Sequence, residues 1–198
     1  MFRKAILILT VLLLSACAST PPTSFYVLEA TSKSRCDHQA SACKQRSPAK
    51  LIGVGPITVP SLLDRKQIIT LGSANSVQVA EFHQWASPVK DNVALVLTKN
   101  LSALQAPNII KSYPWSAYGN VNIRLIVDFT RLDTTPGQSV NLESSWAIMD
   151  ESNHAIVKNG QSKINHPLLD TSYPATVDAL SKVLDEFSRE LSAALDSL

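Results

Sequence analysis

Glycine is scarce in this chain, with six in 198 residues. None opens a helix-like stretch in a way that would cradle phosphate, and Pro56 interrupts the densest stretch, around Gly53 and Gly55. Histidine is scarce too. His38, His83, His154 and His166 stand apart in polar or turn segments and read as surface residues rather than ligands. No His-Glu-x-x-His and no Gly-x-Ser-x-Gly occurs. Asp150-Glu151 is a pair of adjacent carboxylates, but it falls at a predicted turn, where solvation explains it. The residues therefore point to no catalytic site, no metal and no cofactor. Long cationic runs are missing as well. None exceeds Arg65-Lys66, which argues against both a polybasic lipid patch and a nucleic-acid partner. There is no internal repeat.

What is present begins at the N-terminus. Arg3 and Lys4 precede an apolar run over residues 5–14, and Leu14-Ser15-Ala16-Cys17 closes it. A span needs about 20 apolar residues, so this shorter run reads as a secretory signal. Its end resembles a bacterial lipobox. Cleavage after Ala16 would leave Cys17 as the new N-terminus, carrying lipid. Acyl chains contribute about 0.8 kcal/mol per buried CH₂, and stable anchoring takes more than one chain. The alternatives are an ordinary signal with an incidental cysteine, or a short anchor. Ala18 follows Cys17, where enteric-type sorting places Asp to retain a lipoprotein at the inner membrane, so the outer membrane is the expected destination.

Removing residues 1–16 removes two cations and no acid. The 18 Lys+Arg and 16 Asp+Glu become sixteen of each, and the net charge falls to zero. The apparent basicity belongs to the signal. Residues 17–24 form a lipidated tether, of which the seven residues 18–24 span at most about 23–25 Å when extended. Residues 25–198 suit one domain.

Cys36 and Cys43 remain, in a polar stretch between two strand-like segments. Export places them where a disulfide persists. A bridge would close a loop of eight residues and contribute about 2–3 kcal/mol in the chain-entropy model. A redox or metal pair, with His38 nearby, has no recognised spacing; free thiols are the other alternative.

Patterning predicts strands over 24–30, 51–60, 67–71, 76–85, 108–112, 120–133, 140–150 and 155–165. Gly53, Gly55 and Pro56 suggest a bulge or an edge position in the second of these. Ser87-Pro88 predicts a helix start, with Ser87 as the N-cap. Val89, Val93, Val96, Leu97, Leu101 and Leu104 form its apolar stripe. Thr171 or Ser172 caps a second helix, whose stripe is Val177, Leu180, Leu184, Phe187, Leu191 and Leu195. The expected fold is α+β: one mainly antiparallel sheet with two helices packed on one face.

Several segments together resemble one family: the lipobox, Phe25-Tyr26-Val27-Leu28, Ile52-Gly53-Val54-Gly55-Pro56-Ile57, Leu63-Asp64-Arg65-Lys66, and Phe82-His83-Gln84-Trp85-Ala86-Ser87-Pro88. They look like the ABC-type transport auxiliary lipoproteins, in particular the PqiC-type lipoproteins of paraquat-inducible intermembrane transport. The family's Trp-Ala-Glu-Pro-Leu reads Trp85-Ala86-Ser87-Pro88-Val89 here, and the loop holding Cys36 and Cys43 looks like an insertion. The resemblance implies a non-catalytic subunit on the periplasmic face of the outer membrane. It implies an MCE-domain, periplasm-spanning partner, a role in lipid transport, and a homo-oligomeric ring as a further possibility. The alternative is a structural or assembly lipoprotein of the envelope. Asp64, Arg65 and Trp85 are the candidate partner-binding residues; the plainer reading makes Trp85 core and Asp64-Arg65 a local salt bridge.

Overall fold

The computed structural model describes residues 21–34, 49–73 and 76–198. The predicted signal peptide, Cys17 and the predicted Cys36–Cys43 disulfide lie outside these residues. The strands are β1 (Ser24–Tyr26), β2 (Leu51–Thr58), β3 (Gln67–Leu71), β4 (Val77–Trp85), β5 (Ile109–Ser112), β6 (Ile123–Thr135), β7 (Ser139–Asp150) and β8 (Ala155–Pro167). Helix α1 (Val89–Leu104) follows β4, and α2 (Tyr173–Asp196) follows β8.

Alternation decides the longest strands. Ile123, Leu125, Val127 and Phe129 turn to the core while Asp128 and Thr130 face solvent. β6, β7 and β8 make the predicted antiparallel meander. Gly137, at φ +73°, supplies the left-handed residue its first turn requires.

The single, mainly antiparallel sheet is corrected. Among the described residues there are two sheets, and both are mixed. The larger has the order β5-β2-β6-β7-β8, with β2 parallel to both β5 and β6. The smaller has the order β1-β4-β3, with β1 parallel to β4. Parallel neighbours need a long crossover, and the segment from β3 through α1 provides it between β2 and β5. β2 also shows the near-continuous burial of a strand covered on both faces. Its outer cover is aromatic. A Cβ on Gly53 would meet the Trp115 ring at 2.8 Å, and one on Gly55 would meet Tyr113 at 2.7 Å. The glycines are there so that this loop can lie flat on the strand. The predicted irregularity is a bulge, with the β2–β6 register shifting between Val54 and Ile57, and not an edge position.

Both helical stripes are buried, and all of their residues except Leu104 belong to one core cluster, where Phe129 of β6 meets Phe187 of α2 edge-on. Of the two predicted caps, Thr171 and Ser172, it is Ser172 that caps α2, accepting from the Ala175 N–H at 3.4 Å. The cap predicted at Ser87 is not there. Pro88 stands at the N-cap, its carbonyl accepts from the Asn92 N–H, and no side chain caps the helix. Ser87 is one residue too early to reach the first free amides.

A polar seam joins the helices. Asn100 donates to the Ser188 hydroxyl at 3.2 Å, and buried Gln105 donates to the Ser192 carbonyl at 2.9 Å. Residues 27–34 lie across the same pair. The Glu29 N–H donates to the Ser181 hydroxyl, the Ser32 N–H to the Asn100 side-chain carbonyl, and the Ser32 hydroxyl to Asp185.

Candidate functional site

Three stretches far apart in sequence meet at the end of β4. Parallel pairing sets Phe25 against Gln84 and Tyr26 against Trp85. The Trp85 N–H donates to the Lys66 carbonyl at 2.7 Å, and the Ala86 N–H to the Tyr26 carbonyl at 2.8 Å. These bonds close a cleft of about 520 Å³, lined by Phe25, Asp64, Arg65, Lys66, Gln84, Trp85, Ala86, Ser87 and Pro88. Asp64, Arg65 and Trp85, the residues singled out from the sequence, therefore line one cleft.

Their environments differ. Trp85 is 8% exposed and belongs to the core, with part of its surface left on the cleft wall. Phe25 is 64% exposed at the rim. Asp64, Arg65 and Lys66 are exposed, directly after a 3-10 turn over Ser61–Leu63. Among the described residues neither Asp64 nor Arg65 joins an ion pair, so the local salt bridge between them does not form. An apolar floor beneath unpaired charges of both signs is suited to hold another chain's side chains. Phe25 and Gln84 were not singled out from sequence. Only the β1–β4 register brings them here, and a three-residue strand announces no register.

A second cleft, of about 610 Å³, lies at the start of β6 and the end of β7. Arg124 pairs with Glu151 through Nε at 2.8 Å and Nη2 at 2.9 Å, and its guanidinium stands over Trp115. Asp150 accepts from the Ser152 N–H and hydroxyl, which holds its carboxyl below the ordinary range. His83 is not the surface residue expected. The Tyr26 hydroxyl lies 2.8 Å from its Nδ1, and Tyr173 stacks on its ring at 4.0 Å. Its apolar neighbours come from two other elements, which the local sequence does not reveal. Among the described residues no group of His, Cys, Asp and Glu could hold a metal ion, and no helix is long and apolar enough to cross a membrane.

The described residues define a class: an α+β fold with two helices, mixed sheets and a cleft at the end of β4. The chain belongs to the ABC-type transport auxiliary lipoprotein component family, whose model matches residues 36–192. In structure it is similar to an uncharacterised protein (TM-score 0.70, 16% identity, 88% of this chain and 99% of that one). It is also similar to a Xanthomonas campestris protein (TM-score 0.65, 15% identity, the same coverages). At such identities these two support the fold alone. No curated protein matches the chain in sequence.

Proposed function

We propose that this chain is a periplasmic lipoprotein anchored to the outer membrane and a non-catalytic subunit of an MCE-type intermembrane lipid transport system. Residues 1–16 are the signal, residues 17–24 the tether with lipid on Cys17, and residues 25–198 the working domain. Cys36 and Cys43 bridge in the oxidising periplasm. The domain engages an MCE-domain protein that spans the periplasm, and copies of the chain assemble as a ring around its end.

The observation that carries this reading is the convergence of Asp64, Arg65 and Trp85 on one cleft beside exposed Phe25, in a family of transport auxiliaries. A partner's apolar side chain fills the floor between Trp85 and Phe25, and its charges pair with Asp64 and Arg65. Buried aromatics of this kind are the usual anchors of an interface, and rim charges steer encounter more than they add affinity.

The test is mild crosslinking in cells, followed by pulldown of the C-terminally tagged protein from outer-membrane fractions and mass spectrometry. The expected capture is an MCE-domain protein, lost with Cys17→Ala and reduced with Asp64→Lys plus Arg65→Glu. Recovery of only the chain itself, or of unrelated envelope machinery, would replace this reading with the structural-lipoprotein alternative.

A further inference from the structure

The large sheet gives one face to the core. Leu125 and Val127 of β6 and Leu142 and Ile148 of β7 lie on that face with the helices. Side chains alternate along a strand, so their neighbours point to the other face. Strand pairing orders that outer face into rows. Gly53, Arg124, Met149 and Ile156 stand in one row, and Ile126 and Ala147 stand opposite each other in the next. At the β2 end, Trp115 lies over Gly53 and Tyr113 over Gly55. Tyr113, Trp115, Ile126, Ala147, Met149 and Ile156 therefore form an apolar band across four strands. Tyr113 and Ile156, at its two ends, are 61% and 60% exposed. A hollow of about 580 Å³ runs along it, with Ile126, Ala147 and Ile156 in its wall.

Further along β6 the same face is polar. Thr58 donates to Asp128, Arg131 pairs with Asp133 and Glu143, and Lys163 pairs with Glu143 at 3.1 Å. A sheet face turned to water has this character throughout, and the band departs from it. At the band's other margin is the 610 Å³ cleft, to whose wall Trp115 and Arg124 contribute. Its charges balance: Lys50 and Arg124 against Asp150 and Glu151. Arg124 spends Nε and Nη2 on Glu151, which leaves Nη1. Asp150 takes both Ser152 bonds on Oδ1, which leaves Oδ2.

We infer that this face holds one glycerophospholipid molecule, its headgroup in the cleft and an acyl chain across the band. The inference deepens the lipid-transport reading above and rests on it. Size selects the occupant. The band spans three strand spacings, about 14 Å, close to the roughly 15 Å depth of one leaflet's hydrocarbon. Two rows about 7 Å apart give it an area on the order of 200 Å², whereas a stable protein interface takes about 800 Å² from each partner. A second copy of the chain is therefore a poor match. A whole bilayer is a poor match too, because it would also cover the ion pairs of Arg131, Glu143 and Lys163. Balanced charge suits a headgroup carrying both signs. Its phosphate meets Lys50 and Arg124 Nη1, and its amine meets Asp150 Oδ2.

The experiment uses the full-length acylated protein in vesicles of equal parts phosphatidylethanolamine and phosphatidylglycerol. A photo-crosslinking benzoylphenylalanine replaces Ala147, Met149 or, as a control on the same face, Lys163. The expected result is a mass shift of one phospholipid at 147 and 149, mostly phosphatidylethanolamine, and none at 163. Ile156→Glu, at an exposed position, should cut the adduct at 147 several-fold while the thermal midpoint stays unchanged. No lipid adduct at 147 and 149, or a yield indifferent to Ile156→Glu, would overturn the proposal. Equal adducts at 163 would overturn it in favour of contact with the bilayer surface. An adduct with the mass of a second chain would make the band a contact between copies instead. Capture of an MCE-domain protein in cells is read separately. Capture without a lipid adduct removes this site alone, and loss of both removes the transport reading with it.

Discussion

Single residues in this protein are decided by close approach and by burial of polar groups. Gly53 sits in a strand because Trp115 lies on it, and Gly160 serves Trp146 likewise, a Cβ there falling 2.5 Å from the ring. Gln105 is the most demanding polar residue, 1% exposed at the end of α1. Its amide nitrogen, with two N–H groups to give, lies within hydrogen-bonding distance of the Ser192 carbonyl, the Ser192 hydroxyl and Asp196. Replacing one partner of a buried bond leaves the other unsatisfied, which costs about 1–3 kcal/mol. Gln105→Leu is therefore expected to lower stability by about that amount, although leucine is the more hydrophobic residue. A urea titration of both proteins checks it. An unchanged midpoint would mean that the helices rely on their apolar stripes alone.

At the scale of elements, the two helix starts make a natural comparison. Ser172 caps α2 through its hydroxyl, whereas Ser87 lies outside the α1 cap position and bonds to none of that helix's first amides. Ser172→Ala is expected to cost about 1 kcal/mol. Ser87→Ala is expected to stay within about 0.5 kcal/mol, as for surface substitutions generally. Thermal unfolding of the two variants side by side separates them, and equal losses would contradict the assigned caps. Both serines precede a proline or sit two residues from one, so sequence alone gave them similar standing. Strands differ in the same way. β6 and β7 alternate plainly and were legible, while β2 is covered on both faces, and an unbroken apolar run does not say whether its neighbours are parallel.

At the scale of the whole molecule, stability in acid follows from carboxylates spread over it. Glu143 on β7 is held below its ordinary range by a hydrogen bond from Lys163 on β8, with Arg131 on β6 adding to the effect. Asp170, ahead of α2, is lowered by bonds from Ser172. A carboxyl whose folded pKa is depressed stabilises the fold above its unfolded pKa. That contribution disappears as pH falls through the folded value. The native state is thus expected to lose stability below about pH 4, where free carboxylates begin to protonate. Glu143→Gln should lower stability at neutral pH and make the acid decline shallower. Denaturation midpoints from neutral pH down into this range test it, and an identical slope in both proteins would remove Glu143 from the account. None of these charges lines the cleft, so the substitution should leave capture of the partner unchanged.

The sequence by itself determined the two amphipathic helices, the strand meander and three of the residues that line the cleft. The helices and the meander rest on local physics, hydrophobic period and turn chemistry within a few residues, whereas the three cleft residues came from segments that resemble the family. Tertiary structure decided the rest. It split one expected sheet into two mixed ones, since parallel pairing depends on crossovers that no local window contains. It moved the α1 cap from Ser87 to Pro88 and half-buried His83 between Tyr26 and Tyr173. It also brought Phe25 to Asp64, Arg65 and Trp85, because a three-residue strand gains its register only from the strand it joins.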